Sequence, residues 1–186
     1  PLPAPLGRAY GCPMTASSSP SASTPLSPGE AARALFDALN ARDLDRVGQL
    51  QHEDVVDDFL VLREVKGRAG VRAFFEGLFA AFPDFRLDVV RITTAGDMAI
   101  VEWKSDATFT GEPFEGIAAN GKRVVLRGVD CMRFEGGRLK HNTIYYDGAT
   151  FARQVGLLPK QGSGAEKTMT AAFNAVTKLR RGLGGR

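Results

Sequence analysis

The sequence predicts an α+β domain with its helices first and a long antiparallel sheet after them. Two observations carry this. Apolar residues recur at helical spacing over residues 28–50 and 69–82, and four strand-like segments then run from 85 to 147 with no helix between them. A chain of 186 residues, 44% apolar and 24% charged, has the balance of one globular domain with tails.

Residues 1–26 are mostly Pro, Ser, Ala and Thr with few large apolar side chains, so they bury too little surface to offset the entropy of ordering and are predicted to be disordered. Met14 is a candidate start, in which case residues 1–13 are an extension and Cys12 is not native. The domain is expected over residues 27–160. Ser27-Pro28-Gly29-Glu30 reads as a capping box with Pro at the first helical position, opening a helix over 28–41 whose stripe is Ala31, Ala34, Leu35, Ala38 and Leu39. Asp43 caps a short second helix carrying Leu44, Val47 and Leu50. A strand is expected to start over 54–62 and end near Lys66-Gly67. The helix over 69–82 presents Val71, Phe74, Phe75, Leu78, Phe79 and Phe82, and Pro83-Asp84 stops it.

Strands are predicted over 85–93, 98–110, 122–134 and 138–147 as an antiparallel meander. Ala95-Gly96-Asp97 and Glu135-Gly136-Gly137 supply hairpin turns, and 111–121 supplies a longer loop. Gly128, alone among β-branched neighbours, is a predicted bend or bulge that curves the sheet. A last helix over 149–155 closes at Gly156. Beyond the flexible 160–164 stretch, the tail over 161–186 has Met169, Ala172, Phe173, Val176 and Leu179 at helical spacing with a basic end.

The net charge of +3 is unevenly placed. Residues 29–160 hold 18 basic against 20 acidic side chains, while 161–186 hold 5 against 1. No nucleic-acid partner is therefore expected for the core; contact with a membrane surface or a partner is an option for the tail alone. No run approaches the ~20 apolar residues of a membrane span, and a secretory signal pattern is missing, so the expected location is the cytoplasm. Two cysteines and two histidines without ligand spacing predict no metal site. Residues 116–123 nearly spell a phosphate-binding loop. Arg123 stands where Ser or Thr is needed, and a strand follows instead of a helix.

On the last strand, period two puts His141, Thr143, Tyr145 and Asp147 on one face and Asn142, Ile144 and Tyr146 on the other. If the first face looks inward, Asp147 is walled by Tyr145, Tyr146 and Phe151, and desolvation raises its pKa toward the range useful for proton transfer. The plainer alternative is that Asp147 caps the last helix. Of Asp57 and Asp58, adjacent on the first strand, one faces inward if the strand is regular; a solvated acid run is the commoner explanation. Asp130 is a further candidate, ranked below Asp147. Trp103, Phe109 and Phe75 are candidate walls of an apolar cavity, or plain core.

The stretches Phe109-Thr110-Gly111-Glu112-Pro113-Phe114-Glu115-Gly116-Ile117, Gly137-Arg138-Leu139-Lys140 running to Tyr146-Asp147, and Arg153-Gln154-Val155-Gly156-Leu157 resemble the SnoaL-like polyketide cyclases, or ester cyclases, of the nuclear transport factor 2-like superfamily. The resemblance covers roughly residues 29–158 and implies a cone-shaped fold with N-terminal helices on a curved sheet. It also implies a cofactor-independent enzyme acting on a small apolar carbonyl compound, with Asp147 as catalytic acid/base and His141 or Tyr145 as hydrogen-bond donor. Phe109 stands where family members often have histidine, and His141-Asn142-Thr143 where they have Glu-x-Trp. The ketosteroid isomerase-like branch resembles the chain through an acid near Asp58. The alternatives are thus a non-catalytic module that binds a small hydrophobic molecule or dimerises, and an isomerase using Asp58. A homodimer is what the resemblance implies for assembly.

Overall fold

The structure, a computed structural model, describes residues 25–183. The predicted disordered extension falls almost entirely outside them. Helix α1 (Pro28–Asn40) starts at the expected capping box: Glu30 N donates to Ser27 Oγ, and Ser27 N donates back to Glu30 Oε2 at 2.9 Å. Helix α2 (Leu44–Gln49) is capped by Asp43. What the sequence suggested as one strand is two: β1 (Gln51–Phe59) turns at residues 60–62 into antiparallel β2 (Arg63–Lys66). Helix α3 (Gly67–Ala81) follows, then β3 (Arg86–Ala95), β4 (Met98–Thr108), β5 (Arg123–Glu135) and β6 (Arg138–Tyr146), and the helices α4 (Gly148–Val155) and α5 (Gly164–Leu183).

The six strands form one curved, unclosed sheet in the order β2-β1-β6-β5-β4-β3. The β3–β6 meander is as expected. The sequence did not show that β1 lies parallel to β6. Between the pairs Gln51–Leu139 and Val56–His141, β1 spends four residues where β6 spends one, a bulge that lets β1 wrap the end of the sheet. Helices α1 and α3 cover the concave face, α1 against β3 and β4, α3 against β1 and β2.

Gly128 has a different role from the predicted bend. It pairs with Trp103 in unbroken β4–β5 register, and a Cβ there would fall 2.2 Å from Trp103 Cζ2 and 2.6 Å from the Tyr145 carbonyl oxygen. The missing side chain is the seat of the Trp103 indole. Gly111 makes a similar close approach, to the Ala80 carbonyl. There the backbone amides of Gly111 and Glu112 donate to the carbonyls of Ala81 and Ala80, tying the 109–122 loop to the end of α3. Among the described residues no helix is long and apolar enough to cross a membrane.

Candidate active site

Strand alternation sets which side chains face the helices. On β5 the inward parity is Val124, Leu126, Gly128, Asp130, Met132 and Phe134; on β4 it is Ala99, Val101, Trp103, Ser105 and Ala107. On β1 the inward set at the site is Val55, Asp57 and Phe59, and on β6 it is Asn142, Ile144 and Tyr146. The two acids thus sit in the apolar parity of their strands.

Between this face and the helices lies a cavity of about 130 Å³. Its walls are mainly Phe and Leu, including Phe36, Phe74, Phe75, Phe82 and Phe114, with polar groups confined to the sheet: Gln51, Asp57, Ser105, Trp103, Asp130, Asn142 and Tyr146. Asp130 is 8% exposed and accepts two hydrogen bonds, from Trp103 Nε1 at 2.7 Å to Oδ1 and from Asn142 Nδ2 at 2.9 Å to Oδ2. Burial pushes its pKa up to about 6, opposed by those two donors. Asp57 is 3% exposed and receives no hydrogen bond from a described group; burial, then the nearby charge of Asp130, push it up to about 8. Tyr146, half-buried on the same wall, is pushed up to about 12 by burial and by Glu115, so its hydroxyl stays protonated. Burial pushes both carboxyls upward, Asp57 the further, because Asp130 accepts two hydrogen bonds that favour its charged form while Asp57 accepts none from a described group and faces the charge of Asp130.

The residues singled out from sequence are placed otherwise. Asp147 is the N-cap of α4: its carboxylate accepts from Thr150 N at 3.0 Å and Thr150 Oγ1 at 2.6 Å, is exposed, and is held below the usual carboxylate range by those bonds. It does not line the cavity. His141, Thr143 and Tyr145 share its outward parity; Tyr145 is 49% exposed, and His141 Nε2 lies 3.3 Å from Thr143 Oγ1. The expectation that this face looks inward is corrected, because α1 and α3 cover the opposite one. Asp58 also points away from the cavity, and its neighbour Asp57 takes the inward position. Trp103 and Phe75 line the cavity as expected. Phe109 is fully buried outside it, stacked on Phe82 at 4.7 Å between centroids. From the sequence one of Asp57 and Asp58 is expected to face inward, with Asp58 the candidate; the structure turns Asp57 in, brings in Asn142, which had no assigned role, and buries Asp130, which ranked below Asp147. The available signal was an acid or amide in phase with apolar residues of its own strand. Among the described residues, no three His, Cys, Asp or Glu side chains gather as metal ligands.

The description of a SnoaL-like polyketide cyclase matches residues 29–155 of the chain. The chain belongs to the SnoaL-like polyketide cyclase family. This SnoaL-like domain is similar to solved structures of the same fold. One is a SnoaL-like polyketide cyclase candidate from Jannaschia sp. CCS1, at 22% identity, covering 70% of this chain and 92% of that one, with a TM-score of 0.64. Another is AclR from Streptomyces galilaeus, described as a candidate hydroxylase, at 26% identity, 69% and 95% coverage and a TM-score of 0.61. A third is a candidate polyketide cyclase from Pseudomonas putida KT2440, at 25% identity, 69% and 98% coverage and a TM-score of 0.61. No curated protein matches the sequence.

Proposed function

We propose that this SnoaL-like protein is a cofactor-independent acid/base enzyme for a small, apolar, carbonyl-containing substrate, with Asp57 and Asp130 as its working pair. The observation that carries the proposal is two buried carboxyls facing one apolar cavity, pushed up to about 8 and about 6. At neutral pH Asp130 is ionised and Asp57 holds a proton. Asp130 removes a proton from the carbon beside the carbonyl, and Asp57 supplies a proton to the oxygen as negative charge develops there. The Tyr146 hydroxyl, protonated throughout, is a second donor toward that oxygen. The resulting enol can reprotonate elsewhere, as in an isomerisation, or attack a second carbonyl held nearby, as in ring closure. The Phe-rich walls would hold the two carbons together, which supplies much of the acceleration for a closure. Family membership supports the cyclase outcome.

The test is exchange of the hydrogens beside the carbonyl of 2-indanone, a compact neutral ketone, followed by NMR in deuterated buffer. The wild type should accelerate exchange, and D57N and D130N should each lower it by about 10²-fold or more. Wild-type exchange at the buffer rate, on 2-indanone and larger apolar ketones alike, would leave the binding-module reading in its place.

A further inference from the structure

Asp57 and Asn142 are register partners on the parallel strands β1 and β6, so their backbones lie one strand spacing apart, about 5 Å. Both side chains are buried and both line the cavity. Asp57 Oδ1 and Asn142 Oδ1 are fully enclosed, and neither receives a hydrogen bond from any described group. Enclosed acceptors without donors are costly, and two on paired residues call for one explanation. The Asn142 amide cannot resolve the matter by turning over. Its Nδ2 is committed to Asp130 Oδ2 at 2.9 Å, and the reverse orientation would set an oxygen against a carboxylate.

We infer that Asn142 is a bridge between the two acids in the ligand-free site: the proton on Asp57, which turns to the carbonyl oxygen when substrate enters, is there donated to Asn142 Oδ1, while Asn142 Nδ2 donates to ionised Asp130. A single proton satisfies both orphaned acceptors. With Trp103 Nε1 donating to Asp130 Oδ1, the unit crosses four neighbouring strands, β1, β6, β5 and β4. Asn142 is here a positioning residue, and its amide dipole keeps proton and charge on opposite sides. The other titratable group lining the cavity is Tyr146; α1, α3, α4 and the 109–122 loop add only apolar side chains there.

This inference rests on the acid and base reading of Asp57 and Asp130 and extends it to the ligand. The unit presents one negative charge in an apolar enclosure, so the site takes neutral carbonyl compounds and rejects carboxylates.

Aspartate carboxyl ¹³C titration by NMR on the full chain tests the bridge without any substrate, with D57N used for assignment. In Asn142→Leu, Asp130 loses a donor to its charged form and Asp57 loses the acceptor of its neutral form. The Asp130 midpoint should rise and that of Asp57 fall, closing their gap by about one pH unit or more, a tenfold change in relative proton affinity. A merely structural role would open the site and lower both midpoints together, and that result overturns the bridge. Should Asn142→Leu not fold, the wild type decides: its Asn142 side-chain amide resonance should inflect at both carboxyl midpoints, and indifference to Asp57 overturns the inference. In calorimetry at pH 7, methyl 2-naphthoate should bind at least about tenfold tighter than 2-naphthoate; equal affinity overturns the single-charge assignment. Loss of ketone exchange with these results intact would remove only the catalytic reading.

Discussion

Gly128→Ala places a methyl group where the Trp103 indole lies. The new Cβ would sit 2.2 and 2.6 Å from two indole carbons and 2.6 Å from the Tyr145 carbonyl oxygen. Carbon atoms pack at about 3.5–4.0 Å, so the ring must retreat by roughly 1 Å or more, and the backbone oxygen on its paired strand has little freedom to follow. A retreat of that size breaks the 2.7 Å bond from Trp103 Nε1 to Asp130. Losing a buried hydrogen bond to a charged group costs about 1.5–3 kcal/mol, and overpacking a tight core adds about 1–3 kcal/mol. We expect G128A to lose about 3–5 kcal/mol, a large part of a typical domain's stability. Urea unfolding followed by fluorescence measures it directly, since Trp103 is the only tryptophan in the chain. The cycle with Trp103→Phe, followed by far-ultraviolet circular dichroism because that background has no tryptophan, apportions the cost: a shorter ring removes the indole clash, so G128A should be milder there. An unfolding midpoint and an emission maximum both unchanged in G128A would refute the packing argument.

Asp57→Asn should be more stable than the wild type at pH 8, and the gap should shrink on acidification. Burial raises the folded pKa above the unfolded value, so the folded state binds more protons between about pH 4 and 8, and the wild type loses stability as pH rises through that window. The difference in unfolding free energy should change by up to about 1.4 kcal/mol per pH unit, as measured by denaturant unfolding at several pH values; a flat difference would mean that Asp57 is not desolvated. Trp103→Phe removes one of the two donors to Asp130 and should move the acid limb of the exchange-rate profile upward in pH, a shift that a pH–rate series detects. Asp147→Ala removes the α4 cap and should lower the melting temperature by a few degrees while ketone exchange persists; loss of exchange with an intact fold would return catalysis to Asp147.

The elements and most of their ends are written in local sequence. The Ser27 capping box, the Phe-bearing stripe of α3 and the two short hairpin turns are local signals, each written within one or two turns of chain, and the structure has all of them. The sequence also marked the two faces of β6 correctly, with Asn142, Ile144 and Tyr146 opposite His141, Thr143 and Tyr145. Which face looks inward was another matter. Period two is symmetric, and only the placement of α1 and α3 on the concave side breaks the tie, turning Asp147 outward onto Thr150 and Asn142 inward onto Asp130. The parallel pairing of β1 with β6, which brings Asp57 beside Asn142, joins residues 85 positions apart in the chain and leaves no local trace. The candidate site depends on the fold, because raised carboxyl pKa values and an amide hydrogen-bonded to a buried acid arise from desolvation and long-range contact. Neither is a property of any short stretch of sequence.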